Sequence, residues 1–505
     1  MAETTVDVFV IGGGAIGAAV ARDAVGRGLS VVLAEAGDFG GGASGHAPGL
    51  LHGNPVNLAR WQCRSVGEAR REAAGFLVTA PHLARLQRLL LPVRQGVGRP
   101  PMRLQAGLWL YDRVSRGCGL PRHGMLDETA LAETTCLARE GLDSVLTYYD
   151  VVADGRRLVL ETLLDARDRG ARIANYTRVT ALKPLAEGFE VAYSDADGTQ
   201  DRVKARYVVN ATGARVNNVL RLVRGGAAGR QMDVWRGAYI LLPMPDPPRE
   251  EAVVLQAADG RFVFAVPWYG RHIAVGTTAG RHTGGEPTTA PTEAEKDRLL
   301  AACNRFLVPA AEKAHILDAG VGLRGAPATR GRTPPEPGMP VLASQRQGHG
   351  GLVSVYGGSL TTNRLAAARI LGVLGEWGCR MGPSWTAAVP LHGGAAAMDD
   401  LLELAEAQSP VSRLTRYRWV ETYGAKVYDM DAALNGRPGL AREVIPGVPE
   451  VELVHAVEEE EVTCAEDFLD RRTRLGMVIA EEHRTTIANW FTKRARAEKR
   501  RMKKG

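Results

Sequence analysis

The stretch from Asp7 to Glu35, DVFVIGGGAIGAAVARDAVGRGLSVVLAE, constrains the fold of this chain more than any other. An apolar run, Val8 to Ile11, reads as a buried strand and passes directly into Gly12-Gly13-Gly14-Ala15-Ile16-Gly17. Gly12, Gly14 and Gly17 match G-x-G-x-x-G, whose glycines permit a tight turn, close approach of backbone to a pyrophosphate, and helix-on-strand packing. A pyrophosphate placed there, beside Ala15 and Ile16, meets unpaired N–H groups and the positive end of the following helix. That helix stops at Gly28, and Leu29 to Ala34 reads as a second parallel strand closing with Glu35. The carboxylate lies 23 residues past Gly12, where a ribose hydroxyl needs an acceptor. Strand, glycine turn, helix and acid in this order predict a dinucleotide-binding βαβ unit.

A length of 505 residues suggests two or three domains. No window reaches the eighteen or so uninterrupted apolar residues of a membrane span, and the N-terminus lacks the basic region of an export signal. Both point to the cytoplasm. Cys63, Cys118, Cys136, Cys303, Cys379 and Cys464 are scattered, with no C-x-x-C pair, so neither disulfides nor a metal site is expected. The net charge of +7 is local: residues 493–505 hold eight basic residues against Glu498 alone, and the rest of the chain sums to zero. This run reads as a solvated, disordered tail that could also meet anionic lipid. No aromatic residue interleaves it, which argues against nucleic acid.

Along the chain, Gly37 to Pro48 reads as an ordered glycine-rich loop and residues 56–91 as helical, with a crossing into a second region near 92–101. Arg156 to Arg169 is helix-like and returns to the first domain. Ala171 to Ala181, Phe189 to Ser194 and Asp201 to Asn210 alternate as strands, the last ending in Asn210-Ala211-Thr212-Gly213. A second glycine turn after an apolar strand favours FAD over a nicotinamide, because a large flavin needs a second close backbone approach. Phe262 to Trp268 and Ile273 to Gly276, joined by a turn at Tyr269-Gly270, suit an antiparallel wall. Thr292 caps a helix to about Phe306. A proline-rich loop spans 327–340, Leu352 to Tyr356 is a buried strand, and a helix follows Thr361. Beyond about residue 384 the chain is helical and charged.

The chain resembles the FAD-dependent, quinone-linked glycerol-3-phosphate dehydrogenases of the aerobic type over nearly its whole length. The resemblance rests on Val10 to Gly17, Gly26 to Val31, Leu50-Leu51-His52-Gly53, Ala80-Pro81-His82, Gly107 to Asp112, Asn210 to Gly213, Pro267-Trp268 and Gly276-Thr277-Thr278. It continues through Gly322-Leu323-Arg324, Gly357-Gly358 with Leu360-Thr361-Thr362, Thr422-Tyr423-Gly424 and Arg471 to Met477. It implies an α/β fold: a Rossmann-like FAD domain of the glutathione-reductase or D-amino-acid-oxidase type, an antiparallel-sheet substrate domain, and an α-helical C-terminal domain. The expected ranges are 1–75, 145–225 and 315–380 for the discontinuous FAD domain, 76–144 and 226–314 for the substrate domain, and 385–492 for the helical one.

By position, the resemblance assigns FAD to Gly12, Gly14, Ala15, Ile16, Gly17, Glu35, Ser44, Val179, Thr212 and Gly213, and the flavin ring to Gly358, Ser359, Leu360, Thr361 and Thr362. His52 is the expected base for a hydride transfer from a secondary carbinol to flavin N5, and Arg324 the expected anion clamp. Asn57, Tyr239, Arg324 and Ser359 are expected to line the substrate pocket. A small anionic alcohol, a quinone, peripheral contact with the inner face of the cell membrane and a homodimer are the partners this reading keeps open. The pocket departs from the family. Val56 and Asn57 stand where an Arg-Tyr pair is usual, Ser359 where a lysine is, Arg236-Gly237-Ala238-Tyr239 where Lys-Gly-Ser-His is, and Ala279 where an acid is. Arg236 and Arg281 are candidates to supply a relocated charge. The departures leave open a paralogue that oxidises a different hydroxy acid, phosphonate or amine.

Overall fold

The computed structural model describes residues 5–46, 49–94, 96, 99–134, 136–227, 229–244, 250–268, 272–282, 290–328 and 338–502. Ala47 and Pro48, the turn at Tyr269-Gly270, residues 329–337 of the proline-rich loop and the tail beyond 502 lie outside them.

Strand Thr5–Ile11 sits at the centre of an eight-stranded sheet, parallel to Val31–Ala34 on one side and Gln200–Asn210 on the other. Arg172–Ala174 and Gly350–Tyr356 extend the parallel part, and Val341–Gln347, Phe189–Ser194 and Arg178–Pro184 join antiparallel. The central strands are buried on both faces, as parallel strands must be. Val8 and Val10 pack with helices Ala15–Gly26, Gly155–Asp168 and Asn363–Glu376, while Phe9 and Ile11 pack on the antiparallel strands. The predicted strand from Ala171 to Ala181 is two strands in this sheet, broken at Tyr176, which adopts a positive φ of 48°.

A second sheet of ten strands is almost wholly antiparallel; its one parallel pair joins Ala252–Gln256 to Ala84–Arg94. The helix expected over 56–91 is corrected here. Helix Cys63–Thr79 ends before Pro81, and the leucine-rich Ala84–Arg94 becomes a strand paired along its length with Leu142–Ala153. Periodicity misled because the stretch Leu89 to Val93 of this strand is buried on both faces and shows no alternation. Residues 107–112, within helix Pro101–Val114, cover it instead. Leu50–Leu51, Leu142–Ala153 and Asp318–Pro327 pair in the second sheet, although the expected FAD ranges take in all or part of them. Thr292 caps helix Glu293–Phe306 with a full capping box.

The C-terminal region packs helices Met398–Glu406, Arg413–Tyr423, Val427–Gly436 and Glu450–Glu459 around two apolar clusters. The basic run is not a disordered tail as far as it is described: helix Glu481–Met502 carries through it. No described helix is long and apolar enough to cross a membrane.

Candidate active site

Parallel pairing of Ile11 with Asn210 brings the two glycine turns side by side. Gly12 has φ 107°, and a Cβ there would lie 2.8 Å from Ala211 O. A Cβ at Gly17 would collide with Gly12 O, so helix and strand touch backbone to backbone. Glu35 ties the corner together: its Oε2 accepts from Gly13 N at 2.7 Å and its Oε1 from Gly37 N at 2.8 Å. Helix Ala15–Gly26 has no side-chain cap of its own, and Ser44 Oγ accepts from Ala15 N at 3.1 Å. That hydroxyl occupies the place a pyrophosphate oxygen would take at a helix N-terminus. Gly358, φ 97°, lies against Ile16, and Leu360 packs over Gly155 beside Ser44 O. Thr361 and Thr362 are buried, and Thr212 Oγ1 donates to Asn210 Oδ1. The glycine cradle, the acceptor at Glu35 and the helix N-terminus fit an adenine dinucleotide. Val179 sends its side chain into the apolar core with Val32 and Ala34, leaving only its backbone for a ligand.

Facing this corner is one side of the second sheet, and strand alternation says which residues share it. Tyr239 opposes Gly320 and Gly276, Gly237 opposes Gly322, and Trp235 opposes Arg324. Arg324, Tyr239 and Asp318 therefore lie on one face with a floor of glycines between them. Tyr239 lies across Gly320, and His46 of the Ser44 loop covers Gly322. Gly325 packs on Gly213, joining this strand to the second glycine turn. Phe264 belongs to the same face through its pairing with Gly276, and its ring is 5.5 Å from that of His52. Burial raises the Tyr239 phenol above its usual range, and the Asp318 charge adds to this.

His52 is half-buried, and burial pushes its imidazole down to about 4, so it is neutral at pH 7. Asn54 N, which can only donate, meets His52 Nδ1 at 3.3 Å. The next residue is held rigidly. Gly53 N donates to Tyr111 Oη at 2.8 Å, and that hydroxyl donates to Asp150 at 2.8 Å. Asp150 is fully buried; desolvation raises it to about 7, against the pull of Arg70, whose guanidinium lies 4.2 Å from the Tyr111 ring centre. Tyr111 and Asp150 had no role in the reading of the sequence, although Tyr111 stood inside a recognised block.

Two further residues were missed. Arg156, in the first turn of helix Gly155–Asp168, donates from Nε to Gly45 O at 2.8 Å and from Nη1 to Asp470 O. Arg474 reaches in from the C-terminal region, binds Asp154 at 2.6 and 3.0 Å, and stacks on Trp268. Arg471 and Arg472 grip Asp38, so this region braces the glycine-rich loop. Sequence spacing gave no signal for Arg156, which looks like any arginine on a helix.

Other expectations fail on geometry. Arg236 alternates to the opposite face and pairs with Glu295 at 3.2 Å, so it brings no charge to this cleft; Arg281, which opposes Trp235 on the same face as Arg324, is paired with Asp233. The helix expected near Thr361 is present, as Asn363–Glu376 with Thr362 at its N-cap, but Ser359 Oγ accepts from Thr362 N at 3.2 Å and so acts as a local cap. Asn57 is buried, and its Oδ1 has no hydrogen-bond partner among the described residues.

Comparison with known proteins agrees with this geometry. Residues 7–368 match the family of FAD dependent oxidoreductases, and residues 384–498 match the C-terminal domain of alpha-glycerophosphate oxidase. Glycerol-3-phosphate dehydrogenase of Pseudomonas aeruginosa is 31% identical over 490 residues, covering 96% of this chain and 94% of the relative. D-erythritol 1-phosphate dehydrogenase of Brucella abortus is 32% identical over 504 residues, covering 97% and 99%. The structure of glycerol-3-phosphate dehydrogenase from Bacillus halodurans complexed with FAD superposes with a TM-score of 0.79 at 24% identity, covering 98% of this chain and 91% of that one. The chain belongs to the FAD-dependent oxidoreductases, among the relatives of glycerol-3-phosphate dehydrogenase, and FAD is its cofactor.

Proposed function

We propose that this enzyme oxidises the secondary alcohol of sn-glycerol 3-phosphate to dihydroxyacetone phosphate and passes the electrons to a quinone. The observation that carries the reading is the cleft itself: Arg324 and Tyr239 share one sheet face with Phe264, whose ring lies 5.5 Å from that of His52, and Gly325 of the same strand packs on the second glycine turn. The names of the Pseudomonas and Brucella relatives, both dehydrogenases of phosphorylated polyols, support the substrate class. FAD supplies a two-electron acceptor for the hydride that leaves the carbinol carbon.

The protein's part is to hold the alcohol and take its proton. His52 is the proposed base. Its imidazole is neutral at pH 7, and for Nε2 to accept, its proton must sit on Nδ1. The long contact from Asn54 N opposes that tautomer by about 1 kcal/mol or less. Arg324 holds the anionic end of the substrate or polarises the developing ketone. Helix Asn363–Glu376 aims its first N–H groups at the loop expected to meet the flavin ring, where they favour negative charge.

Quinone delivery calls for contact with a membrane surface, and support for it lies outside the basic tail. Met102, Trp109 and Met125 are 82%, 58% and 58% exposed around a groove of about 420 Å³. Arg103, Arg113, Arg116 and Arg122 are exposed on the same segment, an arrangement that suits an anionic interface.

A second reading, a related oxidoreductase for another phosphorylated or carboxylated alcohol, is favoured by Asn57. A buried acceptor without a donor costs about 1–3 kcal/mol, which a substrate hydroxyl would relieve. Anaerobic mixing of the yellow holoenzyme with glycerol 3-phosphate, and separately with D-erythritol 1-phosphate, tests both. Bleaching of the flavin by the first supports the proposal. Bleaching by the second alone moves the assignment to the longer polyol, and bleaching by neither rejects both of these phosphorylated polyols as substrates.

A further inference from the structure

Two of the basic residues that the resemblance places at the anion, an arginine and a lysine, are absent here while Arg324 remains, and neither the residues in their places nor Arg236 and Arg281 offer an unpaired charge in their stead. Asn57 carries no charge, Ser359 caps a turn, and Arg236 and Arg281 are held by carboxylates. The positive charge sits elsewhere. Arg156 is half-buried, bonds only to the carbonyls of Gly45 and Asp470, and has no carboxylate within 4 Å among the described residues. Its Nη2 makes no hydrogen bond there. Burial and the neighbouring Arg474 charge both push the Arg156 guanidinium below its usual range.

A largely desolvated cation whose side-chain hydrogen bonds go only to carbonyls, with Asp154 as its nearby counter-charge shared with Arg474, is costly, and an arriving anion recovers that cost. Arg474 cannot move to meet one, being fixed by Asp154 and by the Trp268 ring. Arg156 can. Gly45 lies between Ser44, which marks the pyrophosphate corner, and His46, which covers Gly322 two residues from Arg324. Arg156 thus stands where the cofactor loop, the catalytic sheet face and the C-terminal region meet, on the side of Ser44 that looks towards Tyr239.

We propose that Arg156 is the anchor for the phosphate of the substrate, supplying the charge that Val56, Asn57 and Ser359 do not carry. The inference rests on the phosphorylated-alcohol reading and sharpens it. The combined field of Arg156, Arg474 and Arg324, opposed by Asp154 and Asp318, selects a phosphomonoester dianion over a carboxylate. The pyrophosphate of FAD has the same oxyanion chemistry, so the test separates the two.

Holoenzyme of the wild type, Arg156→Gln and Arg156→Lys is titrated with inorganic phosphate while the flavin spectrum is followed, and FAD content is measured for each. Phosphate should perturb the wild-type spectrum, Arg156→Gln should bind it at least about tenfold more weakly with FAD content unchanged, and Arg156→Lys should stay within about threefold. In anaerobic reduction by glycerol 3-phosphate, the glutamine variant should raise the half-saturating concentration by a similar factor with little change in the limiting rate. Three results overturn the proposal: no phosphate effect on the wild type, equal phosphate affinity in Arg156→Gln, or loss of FAD in Arg156→Gln, which would give the guanidinium to the cofactor. If phosphate binds through Arg156 and yet glycerol 3-phosphate leaves the wild-type flavin oxidised, the anion site stands and the substrate assignment fails.

Discussion

The glycines of the two sheets do opposite work. At Gly12 and Gly17 in the first, backbone atoms press so closely that any side chain must collide, and the space they define is for the cofactor. On the second sheet, Gly320 and Gly322 make room for Tyr239 and for His46, which the protein itself supplies. The cofactor corner is therefore built mainly of main chain, and the substrate cleft of side chains drawn from distant segments. Main-chain sites tolerate almost no substitution, whereas side-chain sites can be re-specified one residue at a time.

The hardest test of this contrast is Gly17→Ala. A methyl aimed at Gly12 O has backbone on both sides and nowhere to go, so the variant should emerge without bound flavin, or not fold, as its absorbance spectrum will tell. A Gly17→Ala protein that remained yellow would break the comparison outright.

Arg324→Ala should act on the other half alone. Removing one charge-assisted hydrogen bond costs on the order of 1.5–3 kcal/mol, or roughly ten- to a hundredfold in kcat/KM, with FAD content unchanged. Loss of flavin from this variant would mean that the two halves are not separable.

The smallest effects belong to the Tyr111 relay, which touches neither ligand and holds Gly53 beside His52. Tyr111→Phe should lower kcat about fivefold, equivalent to ~1 kcal/mol, without shifting KM or flavin content. Asp150 adds a pH signature. Its carboxyl is raised from 3.8 to about 7, so the folded protein holds a proton that the unfolded chain releases in that window. The stabilisation from this group is full below pH 3.8 and is lost as pH rises through about 7. Thermal melts of Asp150→Asn should lack that component, so that the variant gains on the wild type between about pH 4 and 7; a constant difference would place the proton elsewhere.

How much of this was legible in the chain follows the same division. The βαβ unit, the second glycine turn, the strand at Leu352 and the Thr292 cap are written in local spacing, because turns, caps and period-two or period-3.6 burial depend on neighbours in sequence. Glu35 could be named for the same reason, since it closes a recognisable strand, whereas Ser44 and Gly358 were named by position from the resemblance to the family. Strand Ala84–Arg94, buried on both faces from Leu89 to Val93, escaped, since a run of leucines is consistent with either helix or strand until its partners are known.

By itself, the amino-acid order determined the cofactor corner and the reaction class that comes with it. Only the tertiary structure decided which cations enter the cleft. Arg236 faces away because strand alternation puts it on the wrong side, and Arg156, the proposed anchor, takes its position from Gly45 and Asp470, 111 residues before and 314 after it, whose carbonyls accept from it. A charge is a property of one residue, but where it points depends on contacts that the chain makes only once it is folded.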